Sequence, residues 1–360
     1  MVFEMPNERN NRIILVNDKI YGPSVGIFVR SITEWIGSDK NLYTYIYDKK
    51  NLKIKIEGNK IMGIYPPLSS GWYLNTKFQE LIFRSFRKKL KAFSANSLIH
   101  YTSQQVQPFH FGNSTVTVHD LVPILFPDQT SNTIVKMTRK NLDFYRKLPV
   151  TSTISEFTKK SMEDYGFNGR IHVVPNTISK TFRPLNIDKS TLRKKLNLPL
   201  DKKLVLSVSA NYPRKNLNII EDTVNELGKS YTLVRVGHPL DNSINFSNVS
   251  EKMLNEIYNA CDVFFMPSSY EGFGLPVLEA MSSGIPVVCS DIEIFQEVTK
   301  HSAFLSPIEK SRFKEGIKEV ISNADHFRKL GLEQAKNFSI DNFQNKIRAF
   351  YNDAFETYGI

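Results

Sequence analysis

Short apolar runs alternate with longer segments of helical spacing in the second half of the chain. Between residues 250 and 260, apolar side chains stand at positions 253, 254, 257 and 258, which is one face of a helix. This alternation favours βαβ units and a parallel sheet. The predicted strands are LVLSV (204–208), TLVRV (232–236), DVFFMP (262–267) and IPVVCS (285–290), and the predicted helices cover 217–227, 250–260 and 275–284.

The first half of the chain shows the same alternation less regularly, and it predicts a second α/β sheet. Polar segments with periodic apolar positions predict helices at 76–93, 131–147 and 156–165. The predicted strands are IILVN (13–17), SLIHY (97–101), STVTVHD (114–120), PVTSTIS (149–155) and IHVVPN (171–176).

A polar segment at 179–190, which contains Pro184, separates the two strand–helix series and marks a domain boundary. At the C-terminal end, Ser339 is a favourable N-cap with Asp341 in the first turn, and the spacing beyond it predicts an amphipathic helix. Two doubly wound domains predict a ligand site at the carboxyl ends of their strands, in a cleft between them. The predicted organisation is an N-terminal Rossmann-like domain at 1–184, a C-terminal Rossmann-like domain at 185–338, and a helix at 339–360 that packs back on the N-terminal domain.

Composition is that of a globular protein, with 360 residues, 41% of them hydrophobic and 23% charged. The two cysteines, Cys261 and Cys289, adjoin apolar runs and predict buried thiols rather than a disulfide framework. No apolar stretch approaches the roughly 20 residues of a membrane span, and residues 1–12 lack an apolar signal core. We therefore expect a soluble, unprocessed protein in the cytoplasm.

The formal net charge of +11 favours anionic partners, such as nucleotide diphosphates or anionic lipid. Nucleic acid is not expected, because no RNP, zinc-finger or helix-turn-helix pattern is visible. The segment FRSFRKKLKAF (83–93) carries five basic residues among apolar ones. It predicts either a helix that packs by its apolar face or a peripheral contact with the inner face of an anionic membrane.

The most specific segment is SSYEGFGLPVLEAMSSGIPVVCSD (268–291), in which GFGLP lies between Glu271 and Glu279. Its glycines let the backbone approach a ligand closely. Pro276 favours the start of a helix, whose free amides attract anions. The segment therefore offers carboxylates for sugar hydroxyls and backbone donors for a diphosphate.

This segment resembles the signature of retaining glycosyltransferases of family 4, the glycosyl transferases group 1. Three more segments resemble the same family in the same order: STVTVHDLVPILFP, HVVPNTISKTFRP and LSVSANYPRKNLNII. The resemblance implies a GT-B fold, with two Rossmann-like domains facing across a cleft: an acceptor domain at 1–184 and a nucleotide-sugar-binding domain at 185–338. It implies a retaining hexosyltransferase that moves a sugar from a nucleotide-diphosphate sugar to a hydroxyl of a glycan or lipid-linked acceptor.

The resemblance also implies roles for charged residues. Glu271 would contact the donor sugar from its reactive face, and Glu279 would accept hydrogen bonds from the ribose hydroxyls. Arg214 and Lys215 would neutralise the leaving diphosphate, and a Ser-Ala pair precedes them where the family often has Gly-Arg. Elementary chemistry favours cations there as well, because cleavage of a glycosyl–phosphate bond builds negative charge on the departing oxygen.

Further positions follow from the same resemblance. His119 ends the apolar strand VTV and would contact the donor near the reacting carbon; a core histidine bonded to a carbonyl is the alternative. Gly26 matches the glycine-rich loop that precedes the family's first helix, where a second adjacent glycine is missing. Backbone amides near Phe273, Gly274 and Leu275 would bind sugar hydroxyls and phosphate.

The sequence shows no D-x-D, H-x-x-H, P-loop or G-x-S-x-G pattern. We therefore expect no metal and no cofactor, with the nucleotide sugar as co-substrate. The family mechanism would be front-face transfer without an enzyme nucleophile. Two other readings of the sequence stay open: a sugar-nucleotide epimerase on the same fold, and a sugar-nucleotide-binding protein without catalysis.

Overall fold

A computed structural model describes residues 12–18, 23–36, 42–47, 54–57, 97–108 and 112–360. The chain divides into two compact units. The first contains Met1–Pro175 and Phe343–Ile360, and the second contains Asn176–Asn342. Each unit is built on its own sheet of short, mainly parallel strands.

The sheet of the first unit has seven strands among the described residues, which run in chain order as β1 (Arg12–Asp18), β2 (Leu42–Tyr47), β3 (Ile54–Glu57), β4 (Ser97–Tyr101), β5 (Asn113–Val118), β6 (Val150–Thr153) and β7 (Arg170–Val173). Their order across the sheet is β3-β2-β1-β4-β5-β6-β7. Neighbours pair in parallel except β2 and β3, which are antiparallel. The side chains of β4 and β6 are buried throughout, as expected of inner strands covered on both faces.

Two helices of the first unit begin where the sequence supplies a serine cap. Ser131 Oγ accepts from Ile134 N at 3.4 Å, and Ser155 Oγ accepts from Thr158 N at 3.0 Å. The helices that the structure describes before residue 175 are α1 (Pro23–Ile36), α2 (Val122–Leu125), α3 (Asn132–Tyr145) and α4 (Glu156–Tyr165), with a 3₁₀ turn at Pro127–Gln129. The predicted helix at 76–93, and with it the basic segment 83–93, lies outside the described residues.

The sheet of the second unit is parallel throughout, in the order β10-β9-β8-β11-β12-β13. Four of its strands match the four that the apolar runs predict, whereas the strands at its two edges were not predicted. These edge strands are three or four residues long and half-buried, so they lack an apolar run. The six strands are β8 (Lys203–Ser209), β9 (Tyr231–Gly237), β10 (Ser243–Phe246), β11 (Val263–Met266), β12 (Val287–Ser290) and β13 (Phe304–Ser306).

Helices cover this second sheet, and one core lies between it and two of them. Ile220 and Val224 of one helix and Phe313 and Ile317 of another pack against apolar side chains of the strands. The helices are α5 (Lys189–Lys195), α6 (Leu217–Leu227), α7 (Glu251–Ala260), α8 (Leu275–Ser282), α9 (Glu293–Thr299), α10 (Lys310–Ser322) and α11 (Ala324–Ala335), with 3₁₀ turns at Pro213–Lys215 and Lys336–Phe338.

The second unit begins earlier than the sequence-based boundary after residue 184. Side chains of α7 hold the preceding segment: Asn255 Oδ1 accepts from Arg183 N at 3.1 Å, and Asn259 Oδ1 accepts from Leu185 N at 2.9 Å. These hydrogen bonds attach the polar segment to the second unit.

The last helix, α12 (Ile340–Tyr358), belongs to the first unit from Phe343 onwards. Its apolar face, which includes Phe350, is buried. Asp353 accepts from Arg170 and His172, each at 2.6 Å, at the end strand β7. The apolar face of this helix and its polar contacts therefore both attach it to the first unit.

Candidate active site

The loops that follow β8 and β11 are bonded to each other. The two strands are parallel neighbours, so their carboxyl ends meet at one edge of the sheet, where ligands bind in doubly wound folds. Asn216 Nδ2 donates to Pro267 O at 2.7 Å, and Ser269 N donates to Arg214 O at 2.8 Å. This edge therefore holds together two segments that the sequence predicts to be functional.

Lys215 and Glu271 form an ion pair at this edge. Their side chains are only 11% and 10% exposed. The family resemblance implies contacts of Lys215 with the diphosphate and of Glu271 with the sugar, and the structure brings the two side chains together. Removing water from two opposite charges is costly, and their contact offsets part of that cost. A ligand that carries an anion and hydroxyl donors could bind Lys215 and Glu271 in place of this contact.

The start of α8 presents backbone amides beside this pair. Among the described residues, the amides of Phe273, Gly274 and Leu275 donate to no acceptor, as is usual for the first turn of a helix. Gly274 has φ +85°, and a Cβ there would lie 2.7 Å from Phe295 Cε1, so only glycine fits. The Phe273 ring is buried against Phe338, with centroids 5.7 Å apart. Its side chain is therefore occupied in the core, and its amide is what it offers a ligand.

Glu279 is the fifth residue of α8, and its environment differs from that of Glu271. The Tyr258 hydroxyl donates to Glu279 Oε2 at 3.0 Å. Burial raises the pKa of Glu279 to about 7, against a smaller lowering effect of the Tyr258 hydrogen bond, and the charge of Glu251 raises it further. The site thus contains one carboxylate paired with a cation and one that changes protonation near neutrality.

Arg214 and Lys215 are neighbours in the chain, and the prediction that both neutralise the leaving diphosphate stays a prediction. The Arg214 guanidinium carbon lies 4.5 Å from the centroid of the Tyr212 ring, a cation–π distance, whereas Lys215 contacts Glu271. Lys215 is the cation that the structure places against a predicted catalytic carboxylate.

Arg235, a fully buried arginine that the sequence analysis did not single out, lies at the carboxyl ends of β8 and β9. Its guanidinium donates to Ser207 Oγ at 2.9 Å, Ser209 O at 3.0 Å and His238 O at 3.2 Å. Burial lowers its pKa to about 10. One cation inside the apolar run TLVRV is the signal that could have identified it.

His119 belongs to the first unit and has the surroundings of a core histidine. Its Nε2 lies 2.9 Å from Thr102 O and its Nδ1 lies 3.5 Å from Ser24 Oγ. The Phe28 ring packs edge-on against it. Burial lowers the pKa of His119 to about 4, so the ring is neutral at neutral pH. These contacts match the alternative of a carbonyl-bonded core histidine, and a contact with the donor stays a prediction.

Gly26 was expected in a loop that precedes the first helix, but it lies within that helix. It is the fourth residue of α1, which begins at Pro23. The helix starts earlier because proline is well suited to the first turn, where no amide donor is needed. A backbone contact between Gly26 and a donor phosphate would therefore come from inside a helical turn.

Within the described ranges, no three His, Cys, Asp or Glu side chains are grouped closely enough to bind a metal ion. The helices described there include none with the length and apolar character needed to cross a bilayer.

Residues 188–338 match the family described as glycosyl transferases group 1. Among curated proteins, the O-antigen chain mannosyltransferase RfbU of Salmonella typhimurium is 26% identical over 258 residues, which is 65% of this chain and 68% of the relative. Two relatives from Escherichia coli, O-antigen chain mannosyltransferase B and O-antigen biosynthesis glycosyltransferase WclY, match over only 26% and 35% of their own lengths.

Solved structures resemble the chain over nearly its whole length. Sucrose-phosphate synthase from Thermosynechococcus elongatus has a TM-score of 0.73 at 18% identity, over 97% of this chain and 100% of that one. Anabaena HepE in complex with UDP-glucose has a TM-score of 0.68 at 16% identity, over 95% of this chain and 99% of that one. The expected GT-B fold is confirmed, and the sequence matches support a glycosyltransferase of glycan biosynthesis.

Proposed function

We propose that the chain is a retaining hexosyltransferase of glycosyltransferase family 4, which moves a sugar from a nucleotide-diphosphate sugar to a hydroxyl of a glycan or lipid-linked glycan. The observation that carries the proposal is the buried Lys215–Glu271 pair beside the unbonded amides at the start of α8. The named activity of RfbU makes a nucleotide-activated mannose the first donor to test. UDP-glucose is the second, because HepE binds it.

The main catalytic contribution that we assign to the protein is stabilisation of the negative charge on the leaving diphosphate. As the glycosyl–phosphate bond breaks, negative charge develops on the leaving oxygen of the diphosphate. Lys215 would move from Glu271 to this oxygen, while the amides of Gly274 and Leu275 and the helix dipole of α8 stabilise the phosphates. Arg214 would add a second positive charge once it leaves the Tyr212 ring. Each preorganised hydrogen-bond donor of this kind typically raises the rate by about 10²–10³-fold.

The two glutamates would recognise the two sugar rings of the donor. Glu271, released from Lys215, would accept hydrogen bonds from hydroxyls of the transferred sugar. Glu279 would accept them from the ribose. Both interactions use carboxylate oxygens, which bind hydroxyl donors more strongly than neutral acceptors do.

The transfer step would be a front-face displacement. The acceptor oxygen forms a bond to the anomeric carbon on the side from which the diphosphate leaves, and the leaving phosphate oxygen takes the proton of the acceptor hydroxyl. This displacement needs neither an enzyme nucleophile nor a metal ion. His119, neutral and bonded to Thr102 O, would contribute only a hydrogen-bond acceptor at Nδ1.

A thermal-shift screen with nucleoside diphosphates, GDP-mannose and UDP-glucose tests the binding part, because a ligand of the folded state raises the melting temperature. Transfer to a lipid-linked glycan is then followed by product mass and by the anomeric configuration of the product. The expected result is one stabilising nucleotide sugar and a retained anomeric configuration.

Three outcomes would contradict the proposal. Conversion of the donor alone into an epimer would identify an epimerase. Binding without turnover for every acceptor would identify a non-catalytic binding protein. An inverted product would exclude the retaining mechanism.

A further inference from the structure

Tyr258 connects two acceptors of the second unit through one hydroxyl group. Its oxygen lies 3.0 Å from Glu279 Oε2 and 3.2 Å from Pro276 O. The side chain is fully buried, and its ring packs against Phe182 and Phe264, with centroids 5.9 and 5.7 Å apart. A hydroxyl has one proton to donate, so it bonds fully to only one of these acceptors at a time.

We propose that Tyr258 is a positioning residue that presents Glu279 to the ribose of the donor and exchanges hydrogen-bond partners when Glu279 gains or loses a proton, so that donor binding releases a proton. This inference rests on the proposed function, in which Glu279 accepts the ribose hydroxyls.

Either protonation state of Glu279 can keep a hydrogen bond to Tyr258. When Glu279 is ionised, Tyr258 donates to its carboxylate and holds its orientation. When Glu279 is protonated, its own hydroxyl can donate to Tyr258 Oη, and Tyr258 donates to Pro276 O instead. Neither state leaves the Tyr258 hydroxyl without an acceptor, so the exchange avoids the usual penalty for an unsatisfied buried hydroxyl.

The surroundings of Glu279 place this exchange near neutral pH. Burial raises the pKa of Glu279 to about 7, and Glu251, at the start of α7, also acts to raise it. Ser179 Oγ donates to Glu251 Oε2 at 2.9 Å. The helices packed against α8 carry further titratable or charged side chains: Glu293 and Glu297 on α9, and Asp325, His326, Arg328, Lys329 and Glu333 on α11.

The direction of the pH effect follows from the ligand. Ribose hydroxyls donate hydrogen bonds, so the donor favours the ionised carboxylate. Above pH 7 that form already predominates, and affinity should not depend on pH. Below pH 7 a proton must leave Glu279 on binding, so affinity should fall by up to tenfold per pH unit.

The test is calorimetric titration of the intact chain with GDP-mannose or UDP-glucose between pH 5.5 and 8.5, in buffers of different ionisation enthalpy. Wild-type protein should release a proton below pH 7. Tyr258→Phe keeps the ring but removes the hydroxyl, so the affinity midpoint should move to higher pH by about one unit. Its affinity should approach that of wild type at pH 8.5, which a general loss of structure would not produce.

Two control variants isolate the effect. Glu279→Gln should bind without this pH dependence. Tyr145→Phe removes another buried hydroxyl, which donates to Val106 O at 2.6 Å in the first unit, and should leave the wild-type midpoint unchanged.

Binding that is flat with pH in wild type, or an unchanged midpoint in Tyr258→Phe, overturns the inference and leaves the proposed function standing. Absence of binding for every nucleotide sugar tested contradicts the proposed function, and this inference falls with it.

Discussion

Two largely buried carboxylates at opposite edges of the second sheet differ in how completely they are bonded. Asp262 precedes β11, at the amino edge, and Glu271 follows it, at the carboxyl edge. Asp262 accepts from Lys189 Nζ at 3.1 Å, from Arg193 at 2.7 Å and from Leu204 N at 2.7 Å. Glu271, in contrast, is paired with Lys215.

The difference separates a structural carboxylate from one able to bind a ligand. Three donors occupy both oxygens of Asp262, and they fasten α5 to the starts of β8 and β11. The cation that holds Glu271 can itself be attracted by an anionic ligand, and unbonded amides lie beside the pair. Burial of charge is common to both edges, so it is the remaining bonding capacity that distinguishes them.

The largest expected effect is on transfer at the carboxyl edge. Lys215→Met should lower kcat by about 10²–10³-fold, because it removes a positive charge from the leaving diphosphate. Initial-rate measurements with donor and acceptor check this. The matched control is Lys189→Met, which removes the equivalent charge at the amino edge and should leave kcat within about twofold of wild type. Equal losses in both variants would contradict the distinction between the edges.

Substitutions at the amino edge should instead lower the free energy of unfolding while leaving kcat unchanged. Arg193→Met should lower the free energy of unfolding by about 3 kcal/mol, because it removes a buried partner of Asp262. Urea unfolding measures the change, and kcat should stay near the wild-type value at temperatures where the variant is folded. Lys189→Met should cost less than about 1 kcal/mol, since this lysine is 38% exposed and Arg193 remains. An undiminished urea midpoint in Arg193→Met would argue against the structural role.

The acid stability of the chain should depend on Asp262. Although burial alone would raise its pKa, Lys189, the Leu204 amide and Arg193 hold the pKa of Asp262 below its ordinary value. The unfolded chain therefore takes up this proton first as pH falls below about 4, and stability is lost there. Asp262→Asn should show a shallower loss of melting temperature on acidification, despite a lower melting temperature at pH 7. A loss as steep as in wild type would contradict this assignment.

The smallest expected effect is that of a chelator. With Lys215 and the α8 amides stabilising the diphosphate, EDTA should leave the transfer rate within about twofold. The same assay with added Mg²⁺ is the control. Strong inhibition by EDTA that Mg²⁺ restores would show that a metal ion, rather than Lys215, supplies the charge.

Strands with a continuous apolar run were predictable, whereas edge strands and helix starts were less so. The runs at 204–208 and 262–267 correspond to β8 and β11, because burial on both faces requires apolar residues throughout. β10 is half-exposed and carries no such run. Gly26 was assigned to a loop, but Pro23 starts α1 before it.

The chain sequence by itself determined the α/β class and the segment that carries Glu271, GFGLP and Glu279, because periodicity, glycine and proline act within a few neighbouring residues. Only the tertiary structure decided the partners of the two glutamates. Lys215 lies 56 residues from Glu271 in the chain, and Tyr258 lies 21 residues from Glu279. The pairing of β8 with β11 joins the first two, and the burial of α7 brings Tyr258 to Glu279. Partner choice and pKa depend on which elements become neighbours and how much water they exclude, and no local pattern encodes either.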